Sequence, residues 1–352
     1  MIGRLVAGFV LLLLAEVGFG LTFVIGSVLT RSCGVTPDVL SFCRFAVASG
    51  VMLAIGAATA KGRARLVRPT RRDWLHLLWL APVGTSLMAW CAFAGCARVS
   101  VANAAMADAL TPLMIFVVVA LTTKRISLRE SAGLASGFAG ALLVVKVLDA
   151  HGLALEAYSL GDVFVLLAAA TWGVYTVCGR PLIRRLGSSV FTAWTMALGA
   201  AMLGVLLPFL PTAWPADAKA WLLTGALALL STLMPFWAWN ASQKFLPVSV
   251  VSVSAYFAPV VAMALAVAFL DEQVTSLQWL GTALIIASAT VETSRQSRPA
   301  DVRRCPPLAS PAVSRGKPKR GSCICRAFYH IFGWRTNLPQ RLGYARVRDL
   351  VK

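Results

Sequence analysis

Residues 85–93 read TSLMAWCAF, and residues 232–240 read TLMPFWAWN. Each stretch has threonine first and tryptophan sixth. The chain beyond them keeps step. ADALTPLM at 107–114 faces SAYFAPVV at 254–261, so Thr85 precedes Pro112, and Thr232 precedes Pro259, by the same 27 residues. After a one-residue gap, KRISLRESAG at 124–133 matches EQVTSLQWLG at 272–281. The chain is therefore read as one unit written twice.

What surrounds these stretches is apolar. Hydrophobic residues make up 58% of the 352, charged residues only 13%, and mean hydropathy is +0.75. That is about half the charge of a soluble domain, so a polytopic membrane protein is the leading class. Apolar runs recur at approximately Leu5–Leu29, Pro37–Ala60, Trp74–Ala97, Val101–Thr122, Leu128–Val147, Leu160–Leu182, Val190–Leu210, Ala220–Phe245, Val248–Leu270 and Leu277–Val291. These are ten expected membrane helices. Lipid offers backbone N–H and C=O groups no partner, which favours helices. The runs are continuous rather than alternating, which argues against a barrel. The first run continues past a signal-peptide length with no small-residue cleavage pattern, so it is read as a membrane helix.

The net charge of +19 is unevenly placed. With the N-terminus inside, inner loops hold fourteen basic residues, from Arg4 through the cluster Lys61–Arg72 to Lys244, and outer loops hold four. The positive-inside rule then puts both termini in the cytoplasm. Residues 294–352 carry another fourteen basic residues and prolines at 306, 307, 311 and 318. They are read as a disordered cytoplasmic tail, with RAFYHIFGW at 326–334 a candidate for lying on anionic lipid. No motif supports nucleic-acid binding. Enzyme readings find no HExxH, GxSxG or P-loop. The eight cysteines have no metal spacing and are read as free thiols.

Ten spans divide as five and five. An odd number per unit inserts the two units in opposite orientation, the arrangement common among secondary transporters, with solute held between the halves. At this point the chain resembles the EamA-type branch of the drug/metabolite transporter superfamily. Trp172-Gly173 is similar to the Trp-Gly of a repeat's first helix, and Arg44-Phe45 to the Arg-Phe of the second. Pro112 and Pro259 fall where the fourth helix carries proline. Glu272 with Gly281 fits the opening of the fifth. Val17 stands in place of the first-repeat tryptophan, and Lys124 in place of its glutamate. The resemblance covers about residues 5–293. It implies a ten-helix carrier with a central cavity, often exporting amino acids or other small metabolites across a bacterial inner membrane.

Few charged residues stand inside the spans, and Glu16, Arg44 and Asp108 are the clearest. Each costs about 2.5–3.5 kcal/mol to insert on the lenient scale, which calls for a cavity or a partner. At a rise of about 1.5 Å per residue, Glu16 lies about 20 Å from the outer end of its helix, with Arg44 and Asp108 at roughly 10 Å. Arg44 is expected to pair with Glu16 or Asp108, leaving one acid to move a proton; snorkelling of Arg44 and purely structural bonds for the acids are the plainer alternatives. Pro112 and Pro259 release the carbonyls of Asp108 and Ala255, and matched interruptions in two halves point to a binding site. Tyr256 follows the second of these. Trp90, Trp237, Asn240 and Gln243, with Trp172 and Tyr175, form a candidate aromatic and amide wall; interhelical packing is the alternative. Gly18, Thr22 and Gly26 are expected to form a close-packing seam.

The expectation is thus an all-α integral membrane protein. Residues 5–150 and 158–293 form the two five-helix repeats, and 294–352 the tail. It is a multi-pass inner-membrane transporter exporting a small polar or amphiphilic metabolite by alternating access, coupled to the proton gradient. Its partners are the bilayer, the solute and a proton or other ion. It uses no cofactor or metal. Uptake or exchange of such a solute, and a non-transporting scaffold or sensor with a partner-recruiting tail, are the competing readings.

Overall fold

A computed structural model describes residues 2–98, 111–123, 135–140, 148–149, 152–153, 160–258 and scattered positions between 261 and 287. The chain starts with α1 (Ile2–Ser27), which continues into a π-helical turn at Val28–Ser32. Then come α2 (Pro37–Ala57), the short α3 (Ala60–Leu66) and α4 (Arg71–Ala81), which runs through a π-helical turn at Pro82–Leu87 into α5 (Met88–Cys96). After α6 (Thr111–Thr123), β1 (Leu148–Asp149) pairs antiparallel with β2 (Gly152–Leu153). The second half holds α7 (Leu160–Leu186) and α8 (Ser188–Leu206). Next is α9 (Ala218–Ala228), which passes through a π-helical turn at Leu229–Leu233 into α10 (Met234–Ser242), and then α11 (Val248–Ser254). The two-residue strands are the one departure from the expected all-helical chain among the described residues.

Six of these helical runs are long and apolar enough to cross a membrane: Leu5–Ser32, Pro37–Ala57, Arg71–Cys96, Val163–Leu186, Ser188–Phe209 and Ala218–Ser242. They answer to the first three and the sixth to eighth runs read from sequence. The other four runs are described only in part, the fourth and ninth for about half their length, and the tail lies outside the described residues.

Local chemistry explains the ends. Thr70 and Asp73 make a reciprocal capping box at the start of α4, satisfying two of the backbone donors a helix start leaves free. The Asp217 side chain accepts from Ala220 N at 2.7 Å and starts α9. Between α7 and α8 the break is the single residue Gly187, at φ +92°, a conformation that a side chain would strain. On α1, Val6, Val10, Leu13 and Val17 are exposed while Leu12, Ala15 and Glu16 are buried. The exposed apolar stripe suits lipid, and the opposite face meets the rest of the protein.

Packing between the halves is reciprocal. The first helix of the first half, α1, lies against α10 and the π turn before it. In return α7, the first helix of the second half, lies against α5 and the π turn before that. The second helices, α2 and α8, pack on each other, and α6 packs on α11. This exchange of like with like is what a two-fold relation between two repeats produces. The expected seam is present. A Cβ on Gly18 would come 2.7 Å from the carbonyl oxygen of Leu230, so only glycine admits that approach. Thr22 Oγ1 donates toward Gly18 O and Ser231 O, each at 3.2 Å.

The two π turns that precede α5 and α10 occupy matched places, with Thr85 and Thr232 inside them. A π turn is one residue wider than an α turn and leaves carbonyls poorly served. Thr85 Oγ1 donates to Ala81 O at 2.6 Å, and Thr232 Oγ1 reaches back five residues to Leu227 O at 2.9 Å. The repeated threonine thus has a structural reason that sequence similarity alone did not give.

Candidate functional site

A cavity of about 80 Å³ lies where α1, α2, α5, α6, α7, α10 and the chain just after α11 meet. Glu16 and Arg44 both line it. Both are almost wholly buried, at 1% and 3% exposure. The wall between them is aromatic: Phe19, Phe93, Trp172, Phe236 and Trp239. These rings hold each other edge to face. Phe19 meets Trp172 at 5.4 Å and Trp239 at 6.0 Å, and Trp172 meets Phe236 at 4.9 Å. The result is a largely aromatic and apolar cavity with one acid and one guanidinium on its wall.

Arg44 does not form the expected ion pair with Glu16. No bridge of 4 Å or less joins them, and Asp108, the other candidate partner, lies outside the described residues. The guanidinium carbon instead sits 4.7 Å from the ring centre of Phe45, 5.1 Å from Phe93 and 5.8 Å from Phe236. Ring faces attract a cation by about 0.5–2 kcal/mol, which only partly offsets the loss of water. The Arg44 Nε has no hydrogen-bond partner among the described residues. Glu16 Oε1 accepts from Ser254 Oγ at 3.2 Å, which ties the first helix of one half to the fourth helix of the other.

Near the same place the fourth helix of the second half is interrupted. After Ser254 the backbone bonds shorten in span: Ala255 N bonds Ser252 O, Tyr256 N bonds Val253 O, and Ala258 N bonds Ala255 O. The helix is irregular there, but the Ala255 carbonyl, expected to lose its partner, accepts from Ala258 N at 3.3 Å; Ala255 and Ala258 line the cavity. Pro259 itself lies outside the described residues. Pro112 is the second residue of α6, and Thr111 beside it lines the cavity.

Of the proposed aromatic and amide wall, Trp172 faces the cavity and the other members do not. Asn240 Nδ2 donates to Tyr175 Oη and to Thr192 Oγ1, both at 2.9 Å, and Gln243 Nε2 approaches Asn240 Oδ1 at 3.5 Å. Tyr175, Asn240 and Gln243 are fully buried and form a polar network behind the wall. It fixes α7, α8 and α10 to each other. Trp237 Nε1 donates to Ser189 Oγ at 3.0 Å near the surface, and Trp90 Nε1 donates to Asp38 Oδ1 at 3.2 Å. Tyr256 is fully buried and off the cavity wall. The cavity rings Phe19, Phe93, Phe236 and Trp239 escaped the sequence reading because an aromatic residue in an apolar run offers no contrast. Asp38, which is 8% exposed, escaped because an acid in the first turn of a helix already has a role there.

One end of the molecule is tied shut around this site. Asp73, at the start of α4, forms an ion pair with Arg185 at the end of α7. Trp74 meets Trp194 edge-on at 4.6 Å, Trp194 Nε1 donates to Leu66 O at 3.1 Å, and Arg180 donates to Leu246 O at 2.9 Å. Burial, and then nearby Arg65, hold the Lys244 ammonium below the ordinary lysine pKa. The Asp73–Arg185, Trp74–Trp194 and Trp194–Leu66 contacts join the first half to the second at the end that carries the basic loops, and the Arg180–Leu246 bond lies within the second half. No group of three or more His, Cys, Asp and Glu side chains gathers to hold a metal among the described residues.

The sequence profile of the EamA-like transporter family matches residues 6–146 and again 159–292. An uncharacterized transporter of Archaeoglobus fulgidus is 26% identical over 272 residues, spanning 74% of this chain and 89% of its own. A probable terminal-alkyne amino-acid exporter of Streptantibioticus cattleyicolor is 29% identical over 262 residues, spanning 73% and 84%. A crystal structure of a protein 25% identical superposes with a TM-score of 0.66, covering 84% of this chain and 99% of the other.

Proposed function

The chain belongs to the EamA-like transporter family and is a multi-pass membrane transporter, and from that premise we propose that it exports a small amino-acid-like solute by alternating access driven by the proton gradient. The observation that carries this reading is the pairing of Glu16 and Arg44 on one aromatic cavity without an ion bridge between them. An α-amino acid offers the complement: a carboxylate for the guanidinium, an ammonium for the acid and an apolar body for the rings. The exporter of Streptantibioticus cattleyicolor supports the same substrate class. The basic loops support a cytoplasmic position for both termini, and the proposed localisation is the inner membrane.

Glu16 is the proposed proton carrier. It is a carboxylate buried on the cavity wall, and the Ser254 hydroxyl donates to it. Such an acid exchanges proton for ammonium: a bound cation favours the charged form, and its departure favours the neutral one. The ties between α4, α7 and α8 form the inner gate, and closing them commits the solute to the outer side.

The test is flux of a mixed panel of amino acids in sealed vesicles under an imposed pH gradient. Uphill movement is expected to collapse when the gradient is dissipated. In Glu16→Gln, uphill flux is expected to vanish while downhill exchange persists. Full gradient-driven flux in that variant removes Glu16 from coupling.

A further inference from the structure

From the cavity outward, α2 carries a set of buried polar atoms with no hydrogen-bond partner among the described residues. Asp38, Ser41 and Arg44 follow one another at intervals of three residues, which places them along one ridge of the helix. Their exposures are 8%, 0% and 3%. Each has one buried polar atom without a hydrogen-bond partner: Asp38 Oδ2, Ser41 Oγ and Arg44 Nε. Buried polar atoms in folded proteins are nearly always paired, so three orphans in succession need a cause.

The ridge runs along α5. Asp38 Oδ1 takes the Trp90 indole N–H at 3.2 Å, and the Arg44 guanidinium lies over the Phe93 ring at 5.1 Å. Trp90 and Phe93 are themselves three residues apart on α5. Both ends of the ridge therefore face the same helix. Arg44, Ala92, Phe93 and Cys96 line the cavity, whereas Asp38, Ser41 and Trp90 do not. The orphans lead out of the cavity, toward the end of α2 that begins at Pro37. That end is opposite the one closed by Asp73 and Arg185.

We infer that the seam between α2 and α5 is a polar passage from the cavity to the Pro37 end, and that Asp38 is an ammonium-binding position on it. This rests on the reading of the chain as a carrier of amino-bearing solutes. The chemistry is specific. Trp90 occupies one oxygen of Asp38 and leaves the other open. Ser41 adds a hydroxyl oxygen one turn along, and the indole adds a π surface that attracts cations. An alkylammonium supplies N–H donors for both oxygens and charge for both the carboxylate and the ring. A carboxylate is repelled there and belongs at Arg44, about 9 Å back along the helix axis. In the outward step the amino end of the solute passes from Glu16 to Asp38, and water or solute satisfies the orphan atoms.

The experiment is site-resolved labelling of Ser41→Cys in the full chain, reconstituted in permeabilised vesicles. Two water-soluble thiosulfonates are compared, one with a trimethylammonium head and one with a sulfonate head. Modification of residue 41 is read by peptide mass spectrometry, with the native chain as control. Arg44, one turn away, favours the anionic reagent. A several-fold faster reaction with the cationic one, abolished by adding Asp38→Asn, is the expected result. Methylammonium is expected to slow cationic labelling more than potassium at the same concentration. A residue 41 inert to both reagents overturns the passage. Equal rates that Asp38→Asn leaves unchanged, or equal protection by potassium, overturn the ammonium site. Labelling needs no transport, so an absent amino-acid flux with the expected labelling overturns the proposed function and leaves the passage standing.

Discussion

Arg44 is the residue whose surroundings fit stability least. It is buried, packed on three rings and unpaired at Nε. Replacing a buried charge by an apolar side chain of similar volume is often stabilising, by about 1–4 kcal/mol where it has been done for ion pairs. Arg44→Met is therefore expected to keep or raise the thermal midpoint while losing solute binding. Loss of the charged hydrogen bonds to a carboxylate costs about 3 kcal/mol, or roughly 100-fold in Kd. Thermal unfolding and solute binding on the same purified variant check the two halves of this prediction. A fall of both together marks Arg44 as structural. Glu16 and Arg44 were legible in the sequence because charge inside an apolar run stands out. Their separation was not, because a pairing depends on helix rotation and on Phe45, Phe93 and Phe236, which compete for the same guanidinium.

At the scale of elements, the π turns decide which residues reach the cavity. One extra residue in a helical turn rotates everything beyond it by about 100° relative to an unbroken α-helix. Phe236 and Trp239 lie beyond the turn at Leu229–Leu233, and both face the cavity. Deleting Ser231 is expected to restore α register, carry both rings off the cavity wall and abolish flux while the protein still inserts in the membrane. Flux together with surface-exposed thiol counts in membranes reads this out; normal flux shows that the turn is incidental. The same geometry explains why Asn240 and Gln243, three residues apart, were correctly expected to share a face. That face meets Tyr175 and Thr192 instead of solute, since periodicity gives faces but not their bearing. The gate is an element-scale device as well. Arg185→Gln leaves the Thr70–Asp73 capping box intact and removes the tie to α7. Arg185 is more than half exposed, so the tie is worth about 1 kcal/mol or less. Labelling of Cys178, buried on the same helix, is expected to quicken by up to roughly fivefold, the factor that energy sets.

Across the whole molecule, two matched repeats, if inserted in the opposite orientations proposed from the odd helix count, offer two equivalent ways to close. The described structure shows one, with the basic-loop end tied. The duplicated stretches at 85 and 232 made this architecture legible, because they fall in α5 and α10, which pack in exchange on α7 and α1. Helix count was less legible in structural terms, since the runs at 101–110, 128–134 and 262–275 fall on residues outside those described. Residues 294–352 lie outside them too. A chain truncated after Glu292 is expected to keep its flux if the tail only adheres to lipid or solvent. Loss of flux with correct insertion favours a tail that recruits a partner. The paired π turns carry one more implication, about origin. Each amounts to a residue inserted in a helix, and each sits at the same place beside the same threonine. Two separate insertions there would be a coincidence. A single insertion in an ancestral unit, copied when its gene doubled, accounts for both. The bend that aims the rings at the cavity is then older than the internal duplication.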